Sequence, residues 1–365
     1  MSLESGSASF RMLYLPRDLP ADVVERFARH AAPPIDTLGA GEINGWVTGR
    51  HLLDRNITAE TAYHAGFLRL TLMQAERKIP EPLLRAECRM MELAQIQAEG
   101  LERISQTARR EIRQQVTERL LPTMPPTLRG IAMIHDATAR MLYTTALSDK
   151  QLDAFQIGFA QPVGFGGVPV LPETASLQRR HRSIKDWPAV SFSPEVEAEE
   201  VSHDPGLDFL TWLWFVSEAR GGIVKLKDLG DWAVMIDGPL TFVMEGSGAH
   251  EMVVRRGEPR LSAEAKASLL SGKKLRRAKL TLARGDQSWT CTFDGPSFVV
   301  RGLKLPEGEK LDAVSKFQER IQQIDLFKEA VLTLFDRFAD ERESKEWNKA
   351  LAEVHAWVKE RKTRK

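Results

Sequence analysis

Apolar and polar positions change period several times along this chain, and each change predicts an element. Phe10–Leu15 reads as a strand. Asp18-Leu19-Pro20 leads into a helix over Ala21–Ala32, closed by Pro33-Pro34. Gly45-Trp46-Val47 is a short extended piece, and FLRLTLMQ at Phe67–Gln74 is a longer one. From Leu83 to Leu121 the apolar stripe narrows to Leu101, Ile104, Ala108 and Ile112. Arg103, Arg109, Arg110, Arg113 and Arg119 lie around it, among Glu99, Glu102, Glu111 and Glu118. So thin a stripe predicts a projecting helical arm, with Gly100 as a break and Pro122 as its end. Leu128–His135 and Arg140–Thr144 form a hairpin about Asp136–Ala139, and Ser148 caps a helix to Phe159. The GFGG at Gly164–Gly167 lacks the strand–helix frame of a dinucleotide loop.

Between Pro172 and Gly206 no period is sustained, and the segment reads as a connection. Leu207–Ala219, LDFLTWLWFVSEA, is apolar on nearly every side and predicts a helix buried all round. Its aromatics are contiguous and read as core rather than as a base-stacking platform. Trp232–Ile236, Leu240–Met244 and Glu251–Arg256 follow as strands, with turns at Asp237-Gly238 and Gly246-Ser247-Gly248. Ser262 caps a short helix that Gly272 stops, and strands follow at Lys279–Ala283, Ser288–Phe293 and Phe298–Leu303. Val314, Phe317, Ile321, Ile324, Phe327, Val331, Leu334 and Phe338 then mark a long amphipathic helix. A last helix over Glu343–Val358 runs into a frayed cationic tail, Lys359–Lys365. The pattern predicts an α+β fold of mixed antiparallel sheets with a helical arm. The expected division is 1–175, a connection over 176–206, a β-rich region over 207–306 and C-terminal helices over 307–365.

Charge sharpens this picture. The chain carries +1 in all. From Met252 to Lys304 twelve cations stand against four anions, leaving +8 on one short segment. A face of that kind attracts polyanions, phosphate backbones above all. Two cysteines, Cys88 and Cys291, lie far apart without metal spacing, as expected in a reducing compartment. No apolar run reaches a membrane span, and the N-terminus has no signal-peptide pattern, so a cytoplasmic location is expected. The eight histidines lie singly, and HExxH, P-loop and GxSxG motifs are absent from the sequence. The run Glu195–Glu200 is contiguous and reads as solvated. A binding protein without cofactor or metal is therefore expected rather than an enzyme. The rivals are a protein-interaction scaffold and a metal-dependent DNA-processing enzyme.

The capped helix, the SGK turn at Ser271-Gly272-Lys273, the strand pair and the closing LKLPE at Leu303–Glu307 resemble the C-terminal part of the RdgC family, bacterial recombination-associated DNA-binding proteins. Gly45-Trp46, the LLP at Leu120–Pro122, the strand Gly130–His135 and the VPVLP at Val168–Pro172 recur in the family's order. The resemblance implies a horseshoe protomer that closes into a homodimeric ring around duplex DNA. It also implies little sequence preference, restraint of the strand-exchange recombinase and association with the nucleoid. Lys273 matches a family lysine associated with DNA contact, and Arg255 a basic hairpin position. Where the family carries a basic-plus-aromatic pair after LLP, this chain has Thr123 and Met124. Glu258-Pro259 replaces a lysine-glutamine pair. The candidate DNA contacts are Arg255, Arg256, Arg260, Lys273, Lys274, Arg276, Arg277 and Lys279, with Arg109 and Arg113 on the arm. A dimer is expected from the arm and from the Phe317–Phe338 stripe, which one chain would not fully bury.

Overall fold

The computed structural model describes residues 3–39, 41–100, 102–201, 203–244, 251–308 and 312–361. In chain order its elements are β1 (Ala8–Tyr14), α1 (Val23–Arg29), β2 (Glu42–Thr48), α2 (Ala59–Ala62), β3 (Tyr63–His64), β4 (Phe67–Arg77), α3 (Glu81–Glu99), α4 (Gln106–Leu120), β5 (Pro126–Asp136), β6 (Met141–Thr144), α5 (Asp149–Val163), β7 (Val168–Pro169) and α6 (Pro172–Arg180). After these come α7 (Pro205–Ala219), β8 (Ile223–Leu226), β9 (Gly230–Val243), β10 (Met252–Val254), α8 (Ala263–Leu270), β11 (Lys274–Arg284), β12 (Gln287–Asp294), β13 (Val299–Lys304), α9 (Ala313–Glu343) and α10 (Trp347–Glu360). The fold is mixed α+β, as the pattern predicts. The chain divides into two interleaved units. One comprises 1–18, 134–149 and 167–365, the other 19–133 and 150–166. The expected connection at 176–206 therefore lies inside the first unit, and the division falls elsewhere.

The smaller unit pairs β4 antiparallel with β2, residue for residue from Glu42↔Glu76 to Thr48↔Leu70. Trp46 organises its core. The indole packs 4.7 Å from the Phe27 ring and 6.1 Å from Phe155, and its Nε1 donates to the Gly158 carbonyl at 3.0 Å. The preceding glycine is required by close approach: a Cβ on Gly45 would stand 2.3 Å from the Ala32 Cα. The arm is two helices, α3 and α4, divided at Gly100, where the sequence places a break. Gly100 adopts φ +64 at the end of α3, a conformation glycine reaches without strain, and Ser105 caps α4 through the Ala108 amide. The two helices pair through Leu84, Ile104, Ile112 and Val116. The narrow stripe thus buries one helix of the hairpin against the other.

The larger unit orders its strands β10-β9-β11-β12-β13-β1-β6, with β8 beside β9 and β7 beside β1. All the described pairings among these strands are antiparallel. One face is covered by α7, α9 and α10. Phe209 of α7 packs 5.3 Å from Phe335 and 6.5 Å from Phe293, and Trp289 donates to the Gln323 carbonyl at 3.2 Å. Each fully buried aromatic of this kind contributes about 1.5–3 kcal/mol of hydrophobic free energy. Leu207–Val216 is buried throughout, as the continuous apolar run predicts.

Several expectations are corrected here. Pro172–Arg180 is helical, opened by a proline at its first position and by the Leu171 amide donating to the Thr174 hydroxyl at 2.8 Å. Trp232–Ile236 and Leu240–Met244 are one strand, β9, rather than two joined by a turn at Asp237-Gly238. The expected turn at Gly246–Gly248 lies outside the described residues. Phe317, Ile321, Ile324, Phe327, Val331, Leu334 and Phe338 are all buried within the chain, so the stripe leaves no face for a dimer. The tail is held at Arg361, whose guanidinium pairs with Glu218 at 2.6 Å and lies 4.0 Å over Trp214. Lys362–Lys365 lie outside the described residues.

Candidate nucleic-acid interface

An antiparallel sheet covered on one side leaves its other face to solvent, and its strands then alternate. Trp232, Val234 and Ile236, Leu280 and Leu282, and Trp289, Cys291 and Phe293 point into the helical layer. The opposite parity forms an open face. Register sets Arg277 opposite Asp294, Lys279 opposite Thr292 and Thr281 opposite Thr290. Thr292 in turn lies opposite Arg301 of β13. Because Phe10 pairs with Val300 on the core side, Arg11 takes the opposite parity, across from Thr144, and both of these residues are buried.

Three arginines from three strands meet there. Arg11 and Arg301 both donate to the Leu147 carbonyl, at 3.3 and 3.2 Å. Arg11 is paired with Asp149 at 2.7 Å and Arg277 with the buried Asp294 at 2.9 Å. Arg301 has no salt bridge among the described residues. Burial and then the Arg277 guanidinium push Arg301 below the usual arginine range; Asp294 opposes this, and Arg11 adds to it. Three guanidiniums facing two carboxylates leave one positive charge held among its own kind. A phosphate oxygen satisfies such a site by accepting forked N–H donors.

The sequence-predicted cations are scattered by comparison. Lys279 lies on the open face, within reach of the same row, and forms no salt bridge among the described residues. Arg277 belongs to the arginine group, and Arg276 lies 3.9 Å from Asp294. Lys274 is not a surface cation. It pairs with Asp208 at 2.5 Å, and both side chains are buried. Burial pushes the Asp208 carboxyl up against the pull of Lys274. The physical reason is that β11 begins at Lys274, not at Lys279, so SGKKLRR is not a projecting turn. The alternation of Ala278, Leu280 and Leu282 is interrupted by register shifts between Leu275 and Lys279, and at the start of the strand both Lys274 and Leu275 are buried.

Arg255, Arg256 and Arg260 are exposed beyond the Val254 end of β10. Lys273 lies toward the Met252 end, where Ser268 of α8 touches the Met252 sulfur. The structure does not bring these two groups into one cluster. Arg109 and Arg113 belong to the smaller unit, where they pair with Glu92 at 3.8 Å and Glu81 at 3.5 Å. Arg11 and Arg301 are absent from the predicted set. Both stand in runs that already read as strands, and alternation from Phe10 would have placed Arg11 opposite the core.

No helix among the described residues is long and apolar enough to cross a membrane. Among the described residues, no three His, Cys, Asp or Glu side chains are grouped to hold a metal ion. No protein-family model matches the chain, and no curated protein matches it.

Proposed function

We propose that the protein binds duplex DNA with little sequence preference, through phosphate contacts on the open face of the larger unit's sheet. The observation that carries this reading is the half-exposed pair Arg277 and Arg301 on that face, backed by the buried Arg11, with Arg301 lacking a carboxylate of its own among the described residues. The contacts come from strands rather than from a helix that could enter a major groove, so they read backbone and not base edges. The test is the salt dependence of binding to random-sequence duplex. Each phosphate contact contributes about −0.9 to the log–log slope. Replacing Arg301 and Lys279 together by glutamine flattens the slope by about 2 units if both touch phosphate. An unchanged slope in a folded double variant overturns the reading.

The working state is a homodimer, closed into a ring as the resemblance to the RdgC family implies. Its support is an unpartnered stripe on α3. Leu83, Met90 and Leu93 are exposed at helical spacing, on the side away from the residues that pair α3 with α4. Met90→Glu with Leu93→Glu should convert a dimer into a monomer by light scattering at micromolar concentration. A monomeric wild-type protein removes the ring. Restraint of a strand-exchange recombinase then follows from occupying its duplex. A strand-exchange assay checks this, with the Arg301 and Lys279 double variant expected to lose the inhibition.

A further inference from the structure

The two carboxylates of the arginine group are held in different ways. Asp294 is buried, and it accepts from the Ser297 hydroxyl at 2.7 Å as well as from Arg277. It is part of the fold. Asp149 is paired with Arg11, and the two partners stand in opposite surroundings. The Arg11 side chain is 10% exposed and the Asp149 side chain 90% exposed. The contact is made through one nitrogen: Arg11 Nη2 donates to Asp149 Oδ1 at 2.7 Å, while the buried Arg11 Nε finds no acceptor among the described residues. Arg11 therefore meets solvent where Asp149 stands over it.

The chain brings the carboxylate there by way of the connection from β6 to α5. Leu147 lends its carbonyl to both Arg11 and Arg301, and Asp149, two residues on, is the first residue of α5. A carbonyl and then a carboxylate are thus laid against the arginines. The carboxylate has two effects. It gives a mostly buried guanidinium the anion without which its burial would be costly. It also holds an exposed negative charge beside the place where a phosphate would arrive, and repels that phosphate over about a Debye length, roughly 10 Å at 0.1 M salt. A phosphate at the same position would satisfy Arg11 equally, and a single exposed contact exchanges readily. We propose that Asp149 is an internal stand-in for a DNA phosphate, occupying Arg11 in the free protein and giving it up when the duplex binds. The proposal rests on the sheet-face reading of DNA binding and names the contact that restrains it.

The experiment uses the full chain. Asp149→Asn keeps the shape of the side chain and removes its charge, and circular dichroism checks the fold. Its affinity for random-sequence duplex, followed by fluorescence anisotropy at low salt, should rise about threefold to tenfold. Asp286→Asn removes the same charge at the β11–β12 turn, away from the arginine group, and should change the affinity by less than about twofold. An unchanged or weaker affinity in folded Asp149→Asn overturns the proposal, and so does an equal gain in Asp286→Asn, which would assign the effect to net charge. A second measurement needs no DNA. Inorganic phosphate is titrated into each protein and the Arg11 Nε–H resonance is followed by nuclear magnetic resonance. Asp149→Asn should reach its half-shift at a phosphate concentration about fivefold lower than the wild type. Equal titrations overturn the proposal. A wild type that does not bind duplex removes the sheet-face reading, while the phosphate titration still decides whether Asp149 competes for Arg11.

Discussion

Two regions of this molecule are rich in arginine, and they use it in opposite ways. On the α3–α4 hairpin, cations and acids alternate and satisfy one another. Arg119 holds Glu87 at 2.5 Å, Arg89 holds Glu92 at 3.0 Å, and Arg109 and Arg113 reach Glu92 and Glu81. On the open sheet face, Arg11, Arg277 and Arg301 share two carboxylates and one carbonyl. The hairpin charges stabilise the hairpin, by a few tenths of a kcal/mol for each exposed pair. The sheet charges are partly in conflict, because Arg301 has no salt bridge of its own among the described residues and sits beside Arg277 and Arg11. A local excess of cations is therefore a poor guide to a polyanion site; what matters is which of them find a carboxylate in the fold.

The largest effect expected from any cation here is structural, and it tests the buried end of the contrast. Lys274→Ala leaves Asp208 in a buried site without its partner. Breaking a buried pair in this way costs about 3–5 kcal/mol. Urea denaturation should show that loss, and Lys274→Met with Asp208→Leu should recover much of it. Lys274→Ala with unchanged stability would mean that the pair is solvated after all.

Next comes the direct comparison of the two regions. The Arg301→Gln, Lys279→Gln variant flattens the DNA salt slope by about 2 units. Its stability should not fall, because Arg301 sits among like charges. Arg109, Arg113 and Arg119 replaced together by glutamine should change the slope by less than about 1 unit, since their charge is already spent on Glu92, Glu81 and Glu87. The reverse ranking would move the DNA surface to the hairpin.

Much of the fold could be read from the chain because the signals were local. The Ser262 cap, the Gly272 stop at φ +82, the buried run of α7 and the stripe of α9 are decided within a few residues of one another. The charge pattern was not local. Arg11 finds Asp149 from 138 positions away, and Lys274 finds Asp208 across the α7–β11 joint. The segment carrying +8 therefore looked like one surface, while the structure buries one of its lysines, leaves three arginines exposed beyond the Val254 end of β10 and recruits Arg11 from the first strand. The helix at Pro172–Arg180 was hidden for a related reason. It buries only Pro172, Ala175 and Ser176, and Arg179 and Arg180 reach Glu329, Asp336, Asp340 and Glu343, all more than 140 residues later.

The smallest expected effect separates the two regions by pH. His135 belongs to the larger unit, at the inner end of β5, and is buried. Burial pushes its imidazole below the ordinary value of 6.5, against the opposing pull of Asp136 and Asp18. The unfolded chain therefore takes up this proton at a higher pH than the folded one. Stability is complete above about pH 6.5 and declines as the pH falls below it, by at most about 1.4 kcal/mol per pH unit for a single proton. The hairpin responds later. Its Glu81 is held below its ordinary 4.5 by the Arg85 hydrogen bond and by Arg113, so those contacts persist until the solution is more acid than that. Thermal melts between pH 7.5 and 5.0 should show the decline in the wild type and a flatter profile in His135→Gln. A decline of equal size in the variant would assign the acid sensitivity to another group. Nuclear magnetic resonance of the Glu81 carboxyl over the same range should show no titration, which marks the hairpin as the region whose charges are already matched.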